Sequence, residues 1–156
     1  MSVVKGTTET TRHRNLVSRS CYKLKVGIIG AGVAGLSSAI ILKKLGCDVT
    51  VFEKEKHVST EGAGIQITSN GLFVLQQIDL YNRAKNYGVK PDNLCFYDAN
   101  SLKKIGKLEI LDRMKKRYGK SFVSLRRALL IKVLFEKVKS EKIEVNFGAK
   151  VLPLFK

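Results

Sequence analysis

The alternation of hydrophobic and polar positions predicts strand and helix units over most of the chain. A short β-branched run, Val26 to Ile29, predicts a parallel strand that is buried on both faces. A helix with an apolar stripe is predicted from Val33 to Leu45, and Gly46 supplies a helix stop. Val49 to Phe52 predicts a second strand, which ends at Glu53. This order of elements is typical of a parallel sheet covered by helices.

The same periodicities extend to the end of the chain. The later predicted elements are a helix at Asn70 to Leu80 with Ser69 as its N-cap, two strands at Leu94 to Tyr97 and Leu108 to Leu111 that form a hairpin, a helix at Arg127 to Lys139, and a strand at Ile143 to Phe147. The last of these is predicted to be the third strand of the parallel sheet. The sequence therefore predicts an α/β fold.

A glycine motif joins the first strand to the first helix. Gly30, Gly32 and Gly35 have the spacing Gly-x-Gly-x-x-Gly, in which the glycines allow a tight turn, the approach of a phosphate, and close packing of helix on strand. The free N–H groups at the start of the helix favour a phosphate there. Glu53 can accept hydrogen bonds from both hydroxyls of an adenosine ribose, and it disfavours a 2′-phosphate. The motif therefore predicts FAD or NAD before NADP.

Two later features are compatible with the same ligand. Gly62 and Gly64 flank Ala63 in a segment whose backbone could lie against a planar ring, although a flexible loop is the simpler interpretation. Arg127, at a helix start, could pair with a phosphate in a bidentate fashion, although a solvated arginine is common at such a position.

Three blocks of sequence carry a resemblance to a known family. GAGVAGLSSAIILKKLG, GAGIQITSNG and RRALLIKVL occur in the order in which similar blocks occur in FAD-dependent aromatic-ring monooxygenases. This group includes the salicylate, 4-hydroxybenzoate and kynurenine hydroxylases, and the chain resembles its N-terminal part. Four positions depart from the family pattern: Ser69 replaces a proline, Arg126 a common histidine, Leu129 a common aspartate, and Ser59 an arginine.

The resemblance implies a Rossmann-like FAD-binding domain that is incomplete, with a parallel sheet and the start of a substrate-side β-hairpin. It also implies an adenine contact near Val151 and an FAD contact at Arg127. Together with the glycine motif, it predicts the cofactor-binding residues Gly30, Ala31, Gly32, Val33, Ala34, Gly35, Glu53, Lys54, Gly64, Ile65, Arg127 and Val151. No catalytic residue and no metal ligand can be assigned from the sequence.

The family resemblance also implies an activity. In the intact family, NAD(P)H and O₂ support hydroxylation of a small aromatic substrate at the flavin. The chain of 156 residues lacks the family's later blocks, so we expect it to bind FAD but not to hydroxylate on its own. The alternative is a non-catalytic dinucleotide-binding or interaction module. An NAD-dependent dehydrogenase domain is disfavoured, because it has no need of the second glycine block.

The net charge of +16 raises the question of a nucleic-acid partner. The basic residues are spread along the chain, and the one dense run, Lys103 to Lys120, has few aromatic residues and no nucleic-acid-binding module. We interpret this run as a solvated basic hairpin and expect no nucleic-acid partner. No apolar run approaches the roughly 20 residues that span a bilayer.

Residues 1–24 have a different composition, rich in Ser, Thr and Arg with one acidic residue, Glu9. They predict a basic disordered tail on a cytoplasmic protein or, alternatively, a mitochondrial presequence before a domain at residues 25–156.

Cys21, Cys47 and Cys95 have no spacing that indicates disulfides or zinc. His13 and His57 are isolated and are predicted to be surface residues.

Overall fold

The computed structural model describes residues 24–59, 61–120 and 122–152, which form a mixed α/β fold. The strands are β1 Lys25–Ile29, β2 Asp48–Glu53, β3 Gly64–Ile67, β4 Asn93–Tyr97, β5 Lys104–Glu109, β6 Val123–Arg126 and β7 Glu144–Phe147. The helices are α1 Val33–Lys44, α2 Ser69–Gln77, α3 Tyr81–Tyr87, α4 Ile110–Tyr118 and α5 Arg127–Ser140.

Three strands form a parallel sheet in the order β1-β2-β7. Val26 pairs with Val49 on one side of β2, and Glu53 pairs with Phe147 on the other. The predicted third parallel strand is thereby confirmed, with its start one residue later than expected. Because the strands are parallel, the carboxyl ends of β1, β2 and β7 lie at the same edge of the sheet, where the glycine motif begins.

Four strands form two antiparallel pairs outside this sheet. β3 pairs with β6, and β4 pairs with β5. Neither β3 nor β6 had been predicted, although Val123 and Leu125 are buried and alternate with the half-buried Ser124. We call the pair of β4 and β5 the ribbon.

The hydrophobic core lies between α1, α5, α2 and the central strand β2. The apolar face predicted for the fifth helix is confirmed, since its buried residues are Leu130, Ile131, Val133, Leu134 and Val138. Leu36, Ala39 and Ile40 of α1 meet this face, and Val49 and Val51 of β2 lie in the same cluster. One side of the parallel sheet is therefore packed against helices.

The prediction that the first strand is buried on both faces is wrong. Ile29 is 72% exposed, whereas Val26 and Ile28 are half-buried. β1 is an edge strand among the described residues; on the side that faces away from α1 only the Phe52 ring lies near it, at Gly27, whereas the other side packs against α1. Val26 and Ile28 lie on that side, and Ile29 does not.

The helix predicted at Asn70 to Leu80 is shorter in the structure. α2 ends at Gln77, because Asp79 adopts a left-handed conformation with φ of 61° and Leu80 already precedes α3. Thr68, and not Ser69, is the N-cap residue. The Ser69 hydroxyl instead donates a hydrogen bond to the carbonyl of Lys120 over 2.7 Å, which ties the start of α2 to the end of the basic segment.

The strand predicted at Leu108 to Leu111 is also partly wrong. β5 ends at Glu109, and the amide of Ile110 donates to the carbonyl of Asp92 over 3.1 Å at the start of α4. Ile110, Leu111 and Met114 lie on the half-buried side of this helix, and its basic residues are exposed. The basic run is therefore a strand and an amphipathic helix, and not a simple hairpin.

Within the described residues, no helix combines the length and the hydropathy needed to cross a bilayer. The predictions for the N-terminal segment lie outside the described residues, except at Leu24. Cys47 is buried and His57 is exposed.

Candidate functional site

The glycine turn favours glycine at two of its three positions, through backbone conformation at Gly30 and through close packing at Gly35. Gly30 has a φ of 97°, in the region that glycine adopts without strain, and its amide donates to the carbonyl of Phe52 over 2.7 Å. A Cβ atom on Gly35 would lie 1.9 Å from the carbonyl oxygen of Gly30. The helix can thus approach the turn only because residue 35 has no side chain.

Gly32 has a different environment. A Cβ atom placed there would meet nothing within 4 Å, so the packing of the protein does not require glycine at this position. Gly32 is the N-cap residue of α1, which has no side-chain cap and no acidic residue in its first turn. The space beside Gly32 at the N-terminus of α1 is therefore open, as an anionic ligand requires. A pyrophosphate fits this arrangement.

Glu53 connects the glycine turn to the end of β2. Its Oε2 atom accepts a hydrogen bond from the amide of Ala31 over 2.6 Å, and its Oε1 atom accepts one from the amide of Glu55 over 3.0 Å. The bond from Glu55 is the main cause of a lowered pKa of the Glu53 carboxyl, and it outweighs the opposing effect of desolvation. The carboxylate is thus ionised at neutral pH and keeps lone pairs for further donors.

The end of β7 lies beside Glu53. The amide of Ala149 donates to the carbonyl of Glu53 over 2.9 Å, and that of Gly148 donates to the carbonyl of Glu55 over 3.0 Å. Val151 follows two residues later and is 44% exposed. Lys54 is directed to solvent, with an ion pair of 3.6 Å to Glu55.

The second glycine block contacts the predicted arginine. β3 and β6 pair Gly64 with Arg126, and the amide of Arg127 donates to the carbonyl of Ala63 over 3.2 Å. A Cβ atom on Gly62 would lie 3.4 Å from the Cβ and Cδ atoms of Arg127, so the arginine stem runs along this glycine. Arg127 is exposed and begins α5, as predicted.

A cavity of about 380 Å³ joins the two glycine blocks. Val33 and Ala34 from the first turn of α1 line it together with Ile65 of β3. The structure therefore brings together candidate residues that are about 30 positions apart in the sequence. Ser37 also lines the cavity and had not been predicted, although it follows Val33 by one helical turn and its hydroxyl group is a potential ligand contact.

A second cavity, of about 450 Å³, lies along the outer side of α5. Ser59, Arg126 and Leu129 are among its lining residues. These are three of the four positions at which the chain departs from the monooxygenase pattern. The departures are therefore concentrated on one surface beside Arg127.

Comparison with known proteins decides the family. Residues 23–154 match the family model described as FAD binding domain. The chain belongs to this family.

Relatives of known activity match the same part of the chain. The protein is 31% identical over 126 residues to 3-hydroxybenzoate 6-hydroxylase 1 of Aquipseudomonas alcaligenes, a match that covers 80% of this chain and 32% of the relative. It is 30% identical over 123 residues to 3-amino-4-hydroxybenzoate 2-monooxygenase of Streptomyces cremeus, covering 79% of the chain and 31% of the relative. The chain therefore spans about a third of the length of these relatives, and the resemblance to aromatic-ring monooxygenases is confirmed.

Solved structures agree with this assignment. A tetrameric form of 2-methyl-3-hydroxypyridine-5-carboxylic acid oxygenase superposes with a TM-score of 0.71 at 25% identity, covering 81% of this chain and 32% of the other. HpxO of Klebsiella pneumoniae, solved with FAD and uric acid, has a TM-score of 0.68 at 25% identity and covers 80% and 31%. The chain thus contains the FAD-binding domain found in flavin-dependent aromatic hydroxylases.

Proposed function

We propose that this chain holds FAD by its ADP half, as part of a flavin-dependent monooxygenase that hydroxylates a small aromatic compound. The observation that carries the proposal is the hydrogen bond between the Glu53 carboxylate and the amide of Ala31. It fixes a ribose acceptor beside the open space at Gly32 and the first turn of α1. These features provide for the two polar parts of ADP, the ribose and the pyrophosphate.

The candidate residues other than Lys54 have defined parts in this proposal. The backbone of residues 30–35 donates to the pyrophosphate, and the ionised carboxylate of Glu53 accepts from the ribose hydroxyls. Arg127 adds a guanidinium for a phosphate, and the chain at Val151 adjoins the adenine. Gly64 and Ile65 would lie toward the flavin ring, and Ile65 lines the cavity that it shares with α1.

The same proposal includes a Rossmann-like topology for the wider domain. It also places the ribbon in a substrate-side sheet. When bound, FAD would supply the redox chemistry that activates O₂, with NAD(P)H as the reductant. The residues of this chain contribute the binding and orientation of the ADP half. An aromatic substrate is supported by the names of the relatives, which include hydroxylases of hydroxybenzoates.

A titration with FAD tests the proposed site. Flavin fluorescence is followed as the chain is added, and the same titration is repeated in the presence of ADP. We expect ADP to compete with FAD, and we expect the variant Glu53→Gln to bind FAD about tenfold more weakly, because it loses a charged acceptor. Glu55→Gln is the matched control, since it makes the same charge change two residues away at an exposed position.

Two results would contradict the proposed site. One is FAD binding that ADP does not displace, and the other is an equal loss of affinity in the Glu53 and Glu55 variants. The affinity for NAD⁺, measured with the same protein, is compared with the affinity for FAD. Tighter binding of NAD⁺ than of FAD would favour a nicotinamide-binding module instead.

We further propose that this chain alone does not hydroxylate. The test incubates the purified chain with FAD, NADH or NADPH, and 3-hydroxybenzoate, and measures a hydroxylated product by chromatography. We expect no product above that of FAD without protein. Product formation that depends on the chain would show that these residues suffice for catalysis. FAD binding without turnover is also expected for the alternative, a non-catalytic binding module.

A further inference from the structure

The cavity of about 450 Å³ on the outer side of α5 combines positive charge with apolar walls. Arg126, Lys132 and Lys139 line it together with Leu129 and Phe135. Among the described residues, none that lines this cavity also lines the one between the two glycine blocks. We call it the α5 cavity, and it is a second candidate binding site.

The helical repeat sets the positions of two of the cations. Lys132 and Lys139 are seven residues apart, so they lie on one face of α5 and about 10 Å apart along its axis. Both are exposed. The Nζ atom of Lys139 lies 4.7 Å from the centroid of the Phe135 ring. The two lysines thus border the apolar wall that Phe135 forms.

The α5 cavity has little negative charge to balance these cations. Glu136 is the one acidic side chain among its described lining residues, and its carboxylate is paired with Arg83. Removing a cation from water without a partner is costly, so a molecule that fills the cavity must itself carry negative charge. An anionic ligand meets this requirement.

The departures from the monooxygenase pattern increase the positive charge of the α5 cavity. Arg126 replaces a common histidine and Leu129 a common aspartate, so one change adds a cation and the other removes a carboxylate. Ser59 replaces an arginine, and its hydroxyl donates to the carbonyl of Glu61 over 3.2 Å. With the histidine neutral, the three changes together make the cavity one charge more positive than the pattern.

The proposed FAD site next to this cavity does not suit every nucleotide. The Glu53 carboxylate, which accepts from the ribose hydroxyls in the proposal above, disfavours a 2′-phosphate. Arg126 pairs with Gly64 of the second glycine block, so the α5 cavity adjoins that site. A nucleotide with a 2′-phosphate is therefore disfavoured at Glu53 and favoured by the cations along α5.

We propose that the α5 cavity binds the adenosine 2′,5′-bisphosphate end of NADPH. The inference rests on the proposed function, in which a reduced nicotinamide nucleotide supplies electrons to the flavin. Arg126, Lys132 and Lys139 would pair with the phosphates, and Leu129 and Phe135 would pack against the adenine. The volume of the cavity is within the range of small-molecule sites.

Calorimetric titration of the full 156-residue chain with adenosine 2′,5′-bisphosphate tests the proposal. The titration is made without FAD and again with saturating FAD, which occupies the Glu53 site. The variant K132Q/K139Q removes two charges from the α5 cavity, and glutamine keeps a high helix propensity. The control K103Q/K104Q removes two charges from exposed positions at the end of the ribbon.

A second pair of variants changes the charge inside the cavity in the opposite direction. Leu129→Asp restores the carboxylate of the family pattern, and Leu129→Asn has the same size without the charge. Residue 129 lies in the first turn of α5, where the helix dipole favours aspartate, so the fold is preserved. We expect Leu129→Asp to bind the bisphosphate at least about tenfold more weakly than Leu129→Asn.

We expect the wild type to bind the bisphosphate equally well with and without FAD. K132Q/K139Q should bind at least about tenfold more weakly, because it loses charge-assisted hydrogen bonds to phosphate, and K103Q/K104Q should stay within about twofold of the wild type. NADP⁺ should displace the bisphosphate at a lower concentration than NAD⁺, which lacks the 2′-phosphate.

Four outcomes would overturn the proposal. They are no binding of the bisphosphate, displacement of the bisphosphate by FAD, equal losses in the two lysine variants, and equal displacement by NADP⁺ and NAD⁺. A chain that binds the bisphosphate through Lys132 and Lys139 but does not bind FAD would support the α5 cavity as a nucleotide site while contradicting the proposed function.

Discussion

Gly32 and Gly35 belong to one motif, but the protein needs them for different reasons. A side chain at residue 35 would collide with the carbonyl of Gly30, whereas one at residue 32 would project into open space. The need for glycine at residue 35 could be predicted from the motif spacing, because this steric requirement is local. The bond from Ala31 to Glu53 could not, because it joins residues 22 positions apart through the folded turn.

The two glycines should therefore differ in stability measurements. Gly35→Ala should lower the free energy of unfolding by about 1–3 kcal/mol or more, as expected for overpacking against backbone. Gly32→Ala should cost less than about 1 kcal/mol, since its φ of −81° suits alanine and no atom is near. Urea unfolding followed by far-UV circular dichroism measures both. A similar cost for the two would contradict the account of the turn.

The Glu53 carboxyl should make stability depend on pH. The hydrogen bond from the amide of Glu55 is the main cause that lowers its pKa below the ordinary 4.5 in the folded state. The unfolded chain therefore binds the proton first as pH falls, and the stabilisation present above about pH 4.5 is lost as pH falls through the folded pKa. The difference in urea midpoint between wild type and Glu53→Gln should thus shrink below pH 4.5. An unchanged difference down to pH 3 would argue against it.

At the scale of elements, hydrophobic periodicity predicted the elements that bury a single apolar face. The helix at Arg127 has one buried apolar face, and its bounds were predicted to within one residue. The error at Ile110 and Leu111 arose because a run of apolar residues suits both a strand end and a helix start. The hydrogen bonds from the amides of Ile110 and Leu111 to the carbonyl of Asp92 favour the helix. Asp92 lies 18 positions before Ile110, so periodicity within the segment could not show these bonds.

The core face of α5 should carry much of the stability. Leu134 is fully buried between α1 and the neighbouring elements. Leu134→Ala should reduce the free energy of unfolding by about 2–5 kcal/mol through lost burial and a cavity. Leu108→Ala is the control, because Leu108 is 42% exposed on the ribbon, and it should cost less than about 1 kcal/mol. Equal costs in urea unfolding would contradict this placement of the core.

At the scale of the whole molecule, the described residues form one well-packed part and one exposed part. The parallel sheet shares its core with α1 and α5, whereas no residue of the ribbon is buried. The sequence indicated β4 through its apolar residues, but of β5 it indicated only the last two residues, Leu108 and Glu109. It could not show that these residues would stay exposed, because exposure depends on what packs against them.

Hydrogen exchange should reflect this division. Amides of β4 and β5 should exchange before those of β2, because the ribbon opens without disrupting the buried cluster. Exchange followed by mass spectrometry of peptides from Asn93–Tyr97 and Asp48–Glu53 makes the comparison. Slower exchange of the ribbon amides than of the β2 amides would contradict this division, because it would mean that another part of the chain protects the ribbon.

The central claim is that the open space at Gly32 receives a phosphate of FAD, and the affinity of Gly32→Ala tests it most directly. The account predicts a variant that unfolds at nearly the wild-type urea concentration but binds FAD at least about tenfold more weakly, since a methyl group would occupy the phosphate position. The titration follows flavin fluorescence for both proteins under the same conditions. An affinity equal to that of the wild type, in a folded Gly32→Ala protein, would mean that FAD does not bind at this turn.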